Sequence, residues 1–253
     1  MTKQKHFYLL RGLVRESGHW GLFLDHLRQA FPSARLTFLD LPGTGEHHLT
    51  TTPCTVQGMV DLMRKKFLQQ QQIDEEAILI AISLGAMVST EWMMKHPQDF
   101  SCGFFINTSF GKISPFWQRL KIQAWPHLIQ VLWLRSEKRE SHILKLVCNH
   151  SDDYQEKVTR YAKIAQERPV TFRNAFRQIL AAILFRPKSK LVTPIYLLAS
   201  THDRMVSVEC SRKLGQEWGL PIVEHPTAGH ELTDDDPAWV VRELEKVLKC
   251  SAN

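Results

Sequence analysis

The chain of 253 residues has only five cysteines, Cys54, Cys102, Cys148, Cys210 and Cys250, an odd and widely scattered set. No pair has zinc-site or dithiol redox spacing, so neither a structural metal nor a disulfide framework is expected. The pattern fits reduced thiols and a cytoplasmic location. Long apolar runs are also missing. The most apolar stretch, near 124–134, is interrupted by Pro126, His127 and Gln130 and is too short to span a bilayer. Met1–His6 runs straight into a strand with no apolar leader. There is no internal repeat and no low-complexity tract; Gln69–Gln72 is a short polar run closing a helix. Gly43-Thr44-Gly45 lacks the third glycine of a dinucleotide loop, and no Gly-Lys-Ser/Thr follows, so it reads as a turn after a strand. The net charge is +6, but no recognised nucleic-acid motif accompanies it.

What is present is an alternation. Apolar strand-like runs fall near 6–10, 35–40, 77–82, 102–107, 193–199 and 220–224. Helical patterns fall near 19–31, 55–71, 84–96, 206–218 and 236–249. Strands alternating with helices imply a mostly parallel six-stranded sheet covered on both faces, an α/β fold. A chain of this size buries roughly 70–75% of its unfolded surface and needs no staples.

The densest information lies in Ala77-Ile-Leu-Ile-Ala-Ile-Ser83-Leu-Gly85, continuing to Trp92. Ala77 to Ile82 read as a strand buried on both faces. Leu84, Met87, Val88 and Trp92 then repeat at helical spacing. Ser83 must reverse the chain between them, which requires small neighbours, here Ala81 and Gly85. Such a turn strains the serine backbone and lifts its hydroxyl clear of the sheet, at a helix N-terminus: a nucleophile elbow. The competing reading is an ordinary serine N-cap.

A serine needs a base, and the base an orienting acid. Pro194–Ala199 is an apolar strand whose exit loop carries Asp203. Leu220–Glu224 is a short strand followed by Gly229-His230. His202 reads as a loop residue. Asp234, Asp235 and Asp236 read as negative charge at the N-terminus of the last helix. The order Ser83, Asp203, His230 is that of one hydrolase fold and not of chymotrypsin- or subtilisin-type enzymes.

With these residues, Arg11-Gly12-Leu13 after the first strand and Leu41-Pro42-Gly43 after the second, the chain resembles the α/β-hydrolase superfamily over nearly its whole length. It departs from the family pattern at Ala81, where glycine is usual, and at Arg11, where histidine is usual. The resemblance implies an oxyanion hole formed by the backbone N–H groups of Leu13 and Leu84. It also implies the α/β-hydrolase fold without the usual N-terminal antiparallel hairpin, since the chain opens on the strand before that loop. A core of residues 1–110 and 191–253 would carry a helical cap, or lid, inserted at 111–190. Three to five helices are expected in the cap, with Leu128, Val131, Leu132 and Leu134 helical and with Pro115, Pro126, Pro169 and Pro187 as breaks.

The expected activity is that of a serine hydrolase, cleaving a carboxylic ester through an acyl-enzyme on Ser83, with Asp203 and His230 completing the triad and no cofactor or metal. A thioesterase is the second reading, and a non-catalytic ligand-binding member of the fold the third. Segment 111–190 holds 16 Lys+Arg against 6 Asp+Glu, leaving the rest of the chain at −4. A basic cap would attract an anionic substrate or one carried on an acidic protein, if enough of Arg119, Lys121, Arg135, Lys138, Arg139, Arg173 and Arg177 share one face. Solvated helix faces are the alternative.

Overall fold

The structure, a computed structural model, describes residues 3–70, 75–131, 133–150 and 153–250. Its centre is a six-stranded sheet in the order β2-β1-β3-β4-β5-β6. The strands are β1 (Gln4–Leu10), β2 (Arg35–Phe38), β3 (Glu75–Ile82), β4 (Cys102–Ile106), β5 (Ile195–Ser200) and β6 (Ile222–His225). All five pairings are parallel, as an alternating strand–helix sequence requires.

Alternation along each strand divides the apolar side chains between two layers. Tyr8, Leu10, Leu79, Ala81, Phe105 and Leu197 pack against α2 (Val56–Gln70), α3 (Leu84–Lys95) and α9 (Val208–Trp218). Phe7, Leu9, Ile78, Ile80, Phe104 and Leu198 point the other way, onto α1 (Phe23–Ala30) and α11 (Pro237–Cys250). Each fully buried side chain of this size contributes about 1.5–3 kcal/mol before its entropy cost.

Between β4 and β5 lie α4 (Phe116–Arg119), α5 (Trp125–Val131), α6 (Ser136–Val147), α7 (Tyr154–Glu167) and α8 (Phe172–Leu184). A separate cluster of Leu144, Val147, Val158, Tyr161 and Ile164 packs α6 on α7. A short helix, α10 (Leu232–Asp235), precedes α11.

Several boundaries differ from the sequence reading. The expected helix 19–31 is two pieces, a 3-10 turn at Ser17–Trp20 and then α1, because Gly21 takes a positive φ of 47°. The strand expected over 35–40 stops at Phe38; just beyond it the Leu39 amide still donates to the Leu9 carbonyl (2.9 Å), and the Asp40 carboxylate receives the amides of Ser17 (2.7 Å) and Glu46 (3.1 Å). The strand expected from 193 starts at Ile195, after Pro194, which has no N–H for a ladder. The helix expected from 206 begins at Val208, capped by the Ser207 hydroxyl. Pro126 does not break a helix. It sits in the first turn of α5, where a missing N–H costs nothing. α5 ends at Val131, so Leu134 lies beyond it, and Leu132 lies outside the described residues, as do Gln71 and Gln72 of the polar run.

Arg119, Lys121 and Arg177 are drawn inward onto main-chain carbonyls of Ala182, Asp203 and Thr52, respectively. Not all seven of the basic residues named for the cap therefore point into solvent.

The tightest joint of the fold is at Gly85. A Cβ there would lie 2.6 Å from the carbonyl oxygen of Arg11 and 2.7 Å from that of Leu10, both backbone atoms. Gly85→Ala should therefore push α3 off β1, costing about 3 kcal/mol and lowering Tm by roughly 6–12 °C. A thermal melt unchanged to within 2 °C would show that the joint is slack.

Candidate active site

Ser83 follows the last residue of β3 and precedes the first of α3. Its backbone is at φ 53°, ψ −117°, a region that L-residues avoid at a cost of about 1–3 kcal/mol. Two bonds hold it there. The Ser83 N–H donates to the Ile106 carbonyl (2.9 Å), and the Thr108 hydroxyl donates to the Ser83 carbonyl (3.1 Å). Gly12 lies against the serine: a Cβ on it would come within 3.1 Å of Ser83 Cβ. Ala81 is fully buried in the β3 layer facing α3, so the methyl that replaces the usual glycine is absorbed by the core.

Asp203 and His230 are brought together. His230 Nδ1 lies 2.6 Å from Asp203 Oδ2, and both side chains are buried. The other carboxylate oxygen accepts the amides of Met205 (2.7 Å) and Val206 (2.9 Å), fixing the plane of the carboxylate. Lys121 donates to the Asp203 carbonyl (2.5 Å). No hydrogen bond joins Ser83 Oγ to His230 among the described residues. The three residues follow the C-terminal ends of β3, β5 and β6, which is the edge where open α/β sheets place ligands.

Burial, the largest single influence on the imidazole, favours its neutral form. The Asp203 charge and hydrogen bond, with the Glu231 charge, together outweigh it, so the His230 pKa lies above its ordinary 6.5. Arg11 opposes that rise. Arg11, at the position where histidine is usual, is itself buried. Its guanidinium donates to Glu231 (2.6 Å) and Thr233 (3.0 Å) and stacks over Trp20 at 4.9 Å. It thus ties the loop after β1 to the residues just beyond His230.

The backbone N–H groups of Leu13 and Leu84 donate to no partner among the described residues. Next to Leu13, Val14 has a positive φ of 52°, and its N–H donates to the Gln178 side chain on α8 (2.9 Å).

Gln178 and Asn107 were not anticipated from the sequence. Asn107, in a left-handed conformation just past β4, donates to the His230 carbonyl (2.8 Å) and the Ser200 hydroxyl (3.0 Å) and accepts the Ser200 amide (2.8 Å). It bonds β5 and the histidine loop to the end of β4. The available signals were an asparagine closing a buried strand, where a left-handed residue is tolerated, and a glutamine inside an apolar helical run.

The three consecutive aspartates separate in role. Asp236 caps α11 through the Trp239 amide (2.9 Å), as expected. Asp235 instead receives the amides of Gly229 (2.6 Å), Asn149 (2.8 Å) and His150 (3.1 Å). Asp234 is buried against the Tyr161 hydroxyl (2.8 Å). Neither therefore serves the last helix, because both are engaged with the α6–α7 region. The His202 side chain bonds only its neighbour Thr201 among the described residues, as a loop residue would. Among the described residues no group of three His, Cys, Asp or Glu could hold a metal ion.

A parallel six-stranded sheet with a strained serine turn and a buried histidine–carboxylate pair at its C-terminal edge defines the class of α/β hydrolases. Residues 7–243 match the model of the alpha/beta hydrolase family, and the chain belongs to that family. No curated protein sequence matches it. Among solved structures it is similar to a membrane phospholipase A described as a bacterial virulence factor (18% identity, TM-score 0.78, 99% of this chain and 80% of that one). It is also similar to the esterase RhEst1 from Rhodococcus sp. ECU1013 (16%, 0.72, 97% and 90%). A third is the RedJ thioesterase from Streptomyces coelicolor (12%, 0.64, 96% and 85%). At these identities the likeness is one of fold.

The raised histidine pKa sets a pH dependence. A base must be neutral to act, so kcat/KM for a chromogenic ester should rise with pH through an inflection above 6.5. Glu231→Gln removes one of the charges that holds the pKa up and should move the inflection to lower pH. An inflection that stays in place in this variant would remove Glu231 from the electrostatics of the site.

Proposed function

We propose that the protein is a serine hydrolase of carboxylic esters. The observation that carries this reading is the buried Asp203–His230 hydrogen bond at 2.6 Å, at the same sheet edge as a strained Ser83 turn flanked by two unpaired amides.

As substrate binds, the Ser83 hydroxyl engages His230 Nε2; such contacts commonly tighten only in the complex. Nε2 takes the hydroxyl proton while Oγ bonds to the carbonyl carbon. The carbonyl oxygen becomes an oxyanion held by the N–H groups of Leu13 and Leu84. Asp203 keeps the Nδ1 proton in place and stabilises the imidazolium. The tetrahedral species collapses, and the leaving alcohol takes the proton from Nε2, which leaves an acyl-Ser83. Water loses a proton to Nε2 and attacks the acyl carbon. Collapse releases the acid and returns the proton to Ser83. No step calls for a metal or an organic cofactor.

Residues 111–190 act in this proposal as a cap over the site, with 1–110 and 191–253 as the catalytic core. Gln178 on α8 and Lys121 before α5 reach the oxyanion loop and the Asp203 carbonyl directly. The excess of cations in the cap supports substrates with a negative group, including a thioester on an acidic carrier. A cytoplasmic location belongs to the same proposal; what the described residues show is that no helix is long and apolar enough to cross a membrane.

A fluorophosphonate probe should label Ser83 alone, with mass spectrometry locating the adduct. Asp203→Asn should keep the fold and lower kcat by about 10⁴, the typical cost of losing tautomer control. Asp235→Ala, which removes a carboxylate bonded to amides, should cost stability far more than chemistry. Labelling elsewhere, or activity that survives Asp203→Asn, would sink the assignment.

A further inference from the structure

Helix α8 is inside out. Asn174, Gln178 and Ala181 are buried, whereas Phe172, Phe176, Ile179 and Ile183 face solvent. The exposed four are spaced as one helical face. The buried amides have work: Asn174 accepts from the Thr52 amide (3.1 Å) and donates to the Thr50 carbonyl (3.1 Å), and Gln178 holds the Val14 amide. The aromatic face has no such use within the chain.

The neighbouring segment repeats the pattern. α5 buries no residue, and Trp117, Ile122, Trp125, Ile129 and Trp133 are exposed along α4, α5 and their flanks. Trp133 is 84% exposed, Ile122 73%, Phe172 70% and Trp117 64%, so these side chains project and do not line a cleft. The two sets adjoin. Arg119, ending α4, donates to the Ala182 and Ile183 carbonyls of α8, and the Phe116 and Trp125 rings lie 5.9 Å apart.

Charge follows the same segments. Residues 111–136 hold four Lys+Arg and residues 168–194 hold six, with no Asp or Glu in either. Arg168 pairs with Glu16, but no other of these ten has a carboxylate partner among the described residues. Arg119, Lys121, Arg177 and Arg186 sit on carbonyl oxygens, which leave their charge uncancelled.

We propose that this face, α4–α5 together with the outer side of α8, docks on an anionic phospholipid bilayer. Projecting tryptophans among unneutralised cations match a surface that offers acyl chains and phosphate groups together. A second copy of this chain would bring like charges face to face. Docking does not depend on the hydrolytic reading. If both hold, Gln178 and Lys121 place the Ser83 edge beneath the lipid-facing helices, and the substrate is an ester of the membrane itself.

The test uses full-length Ser83→Ala protein, which binds without turnover. Flotation with phosphatidylcholine vesicles is compared with flotation on vesicles of phosphatidylcholine and phosphatidylglycerol at about 7:3. Partitioning should favour the anionic vesicles at least tenfold, and should fall about fivefold for each of Arg173→Gln and Lys188→Gln. The pairs Trp117→Ala with Trp133→Ala, and Phe172→Ser with Phe176→Ser, should each cut binding at least tenfold with an unchanged melt, because these residues are exposed. Brominated lipid should quench the parent protein and spare most of the Trp117/Trp133 variant. Absence of flotation on anionic vesicles, or flotation indifferent to both apolar pairs, would overturn the proposal. So would a dimer in sedimentation velocity that Phe172→Ser with Phe176→Ser dissolves, since that assigns the face to a second copy. Unsubstituted protein that floats on anionic vesicles but cleaves no ester would count against the hydrolytic reading alone.

Discussion

Everything at the site depends on the contact of two backbones. Gly85 lies so close to the carbonyls of Leu10 and Arg11 that a side chain there has no room. This approach brings the first turn of α3 against the end of β1. Ser83, two residues earlier, must then turn the chain within one residue, and its positive φ follows. Gly12, one residue past Arg11, meets the serine from the other side. The strained turn and the Leu13 loop are therefore one construction, and the Leu13 and Leu84 amides are left unpaired by the same packing.

The second half of the site is assembled by polar contacts over long sequence separations. Asn107 bonds the histidine loop to the end of β4, and Asp235 gathers the amides of Gly229, Asn149 and His150. Gly229 is needed because a Cβ would lie 2.5 Å from the Val147 carbonyl, where α6 presses on the loop. The insertion between β4 and β5 is thus part of what holds His230. Ion pairs cross the same boundary: Arg168 with Glu16 (2.5 Å) is half-buried, and the buried Arg15 with Glu140 (2.7 Å) fixes register more than it adds stability, since desolvation offsets most of its attraction.

The basic composition of residues 111–190 takes on two meanings in three dimensions. Part of it is internal: Arg119, Lys121 and Arg177 satisfy carbonyl oxygens at helix ends and loops. Another part, such as Arg173 and Lys188, lies in the same segments as exposed aromatics that the core does not claim. A solvated helix face would have shed its tryptophans; a core-facing one would have buried them.

Much of this was legible in the chain itself. Apolar runs of strand length alternating with helical spacing suffice for a parallel sheet, because only βαβ crossovers bury both faces. Ser83, Asp203 and His230 could be picked out because each follows a strand, and local small residues mark the turns. What the chain could not show is everything that depends on which side of a helix faces in. The pattern of α8 reads as an apolar helix, yet the fold buries Asn174 and Gln178 and turns the phenylalanines outward. The same holds for Asn107, for Arg11 against Glu231, and for the separate duties of Asp234, Asp235 and Asp236. Period and composition are local quantities, set by neighbours a few residues away. The partners of these side chains lie up to 222 residues distant, and only the folded chain decides which of them meet.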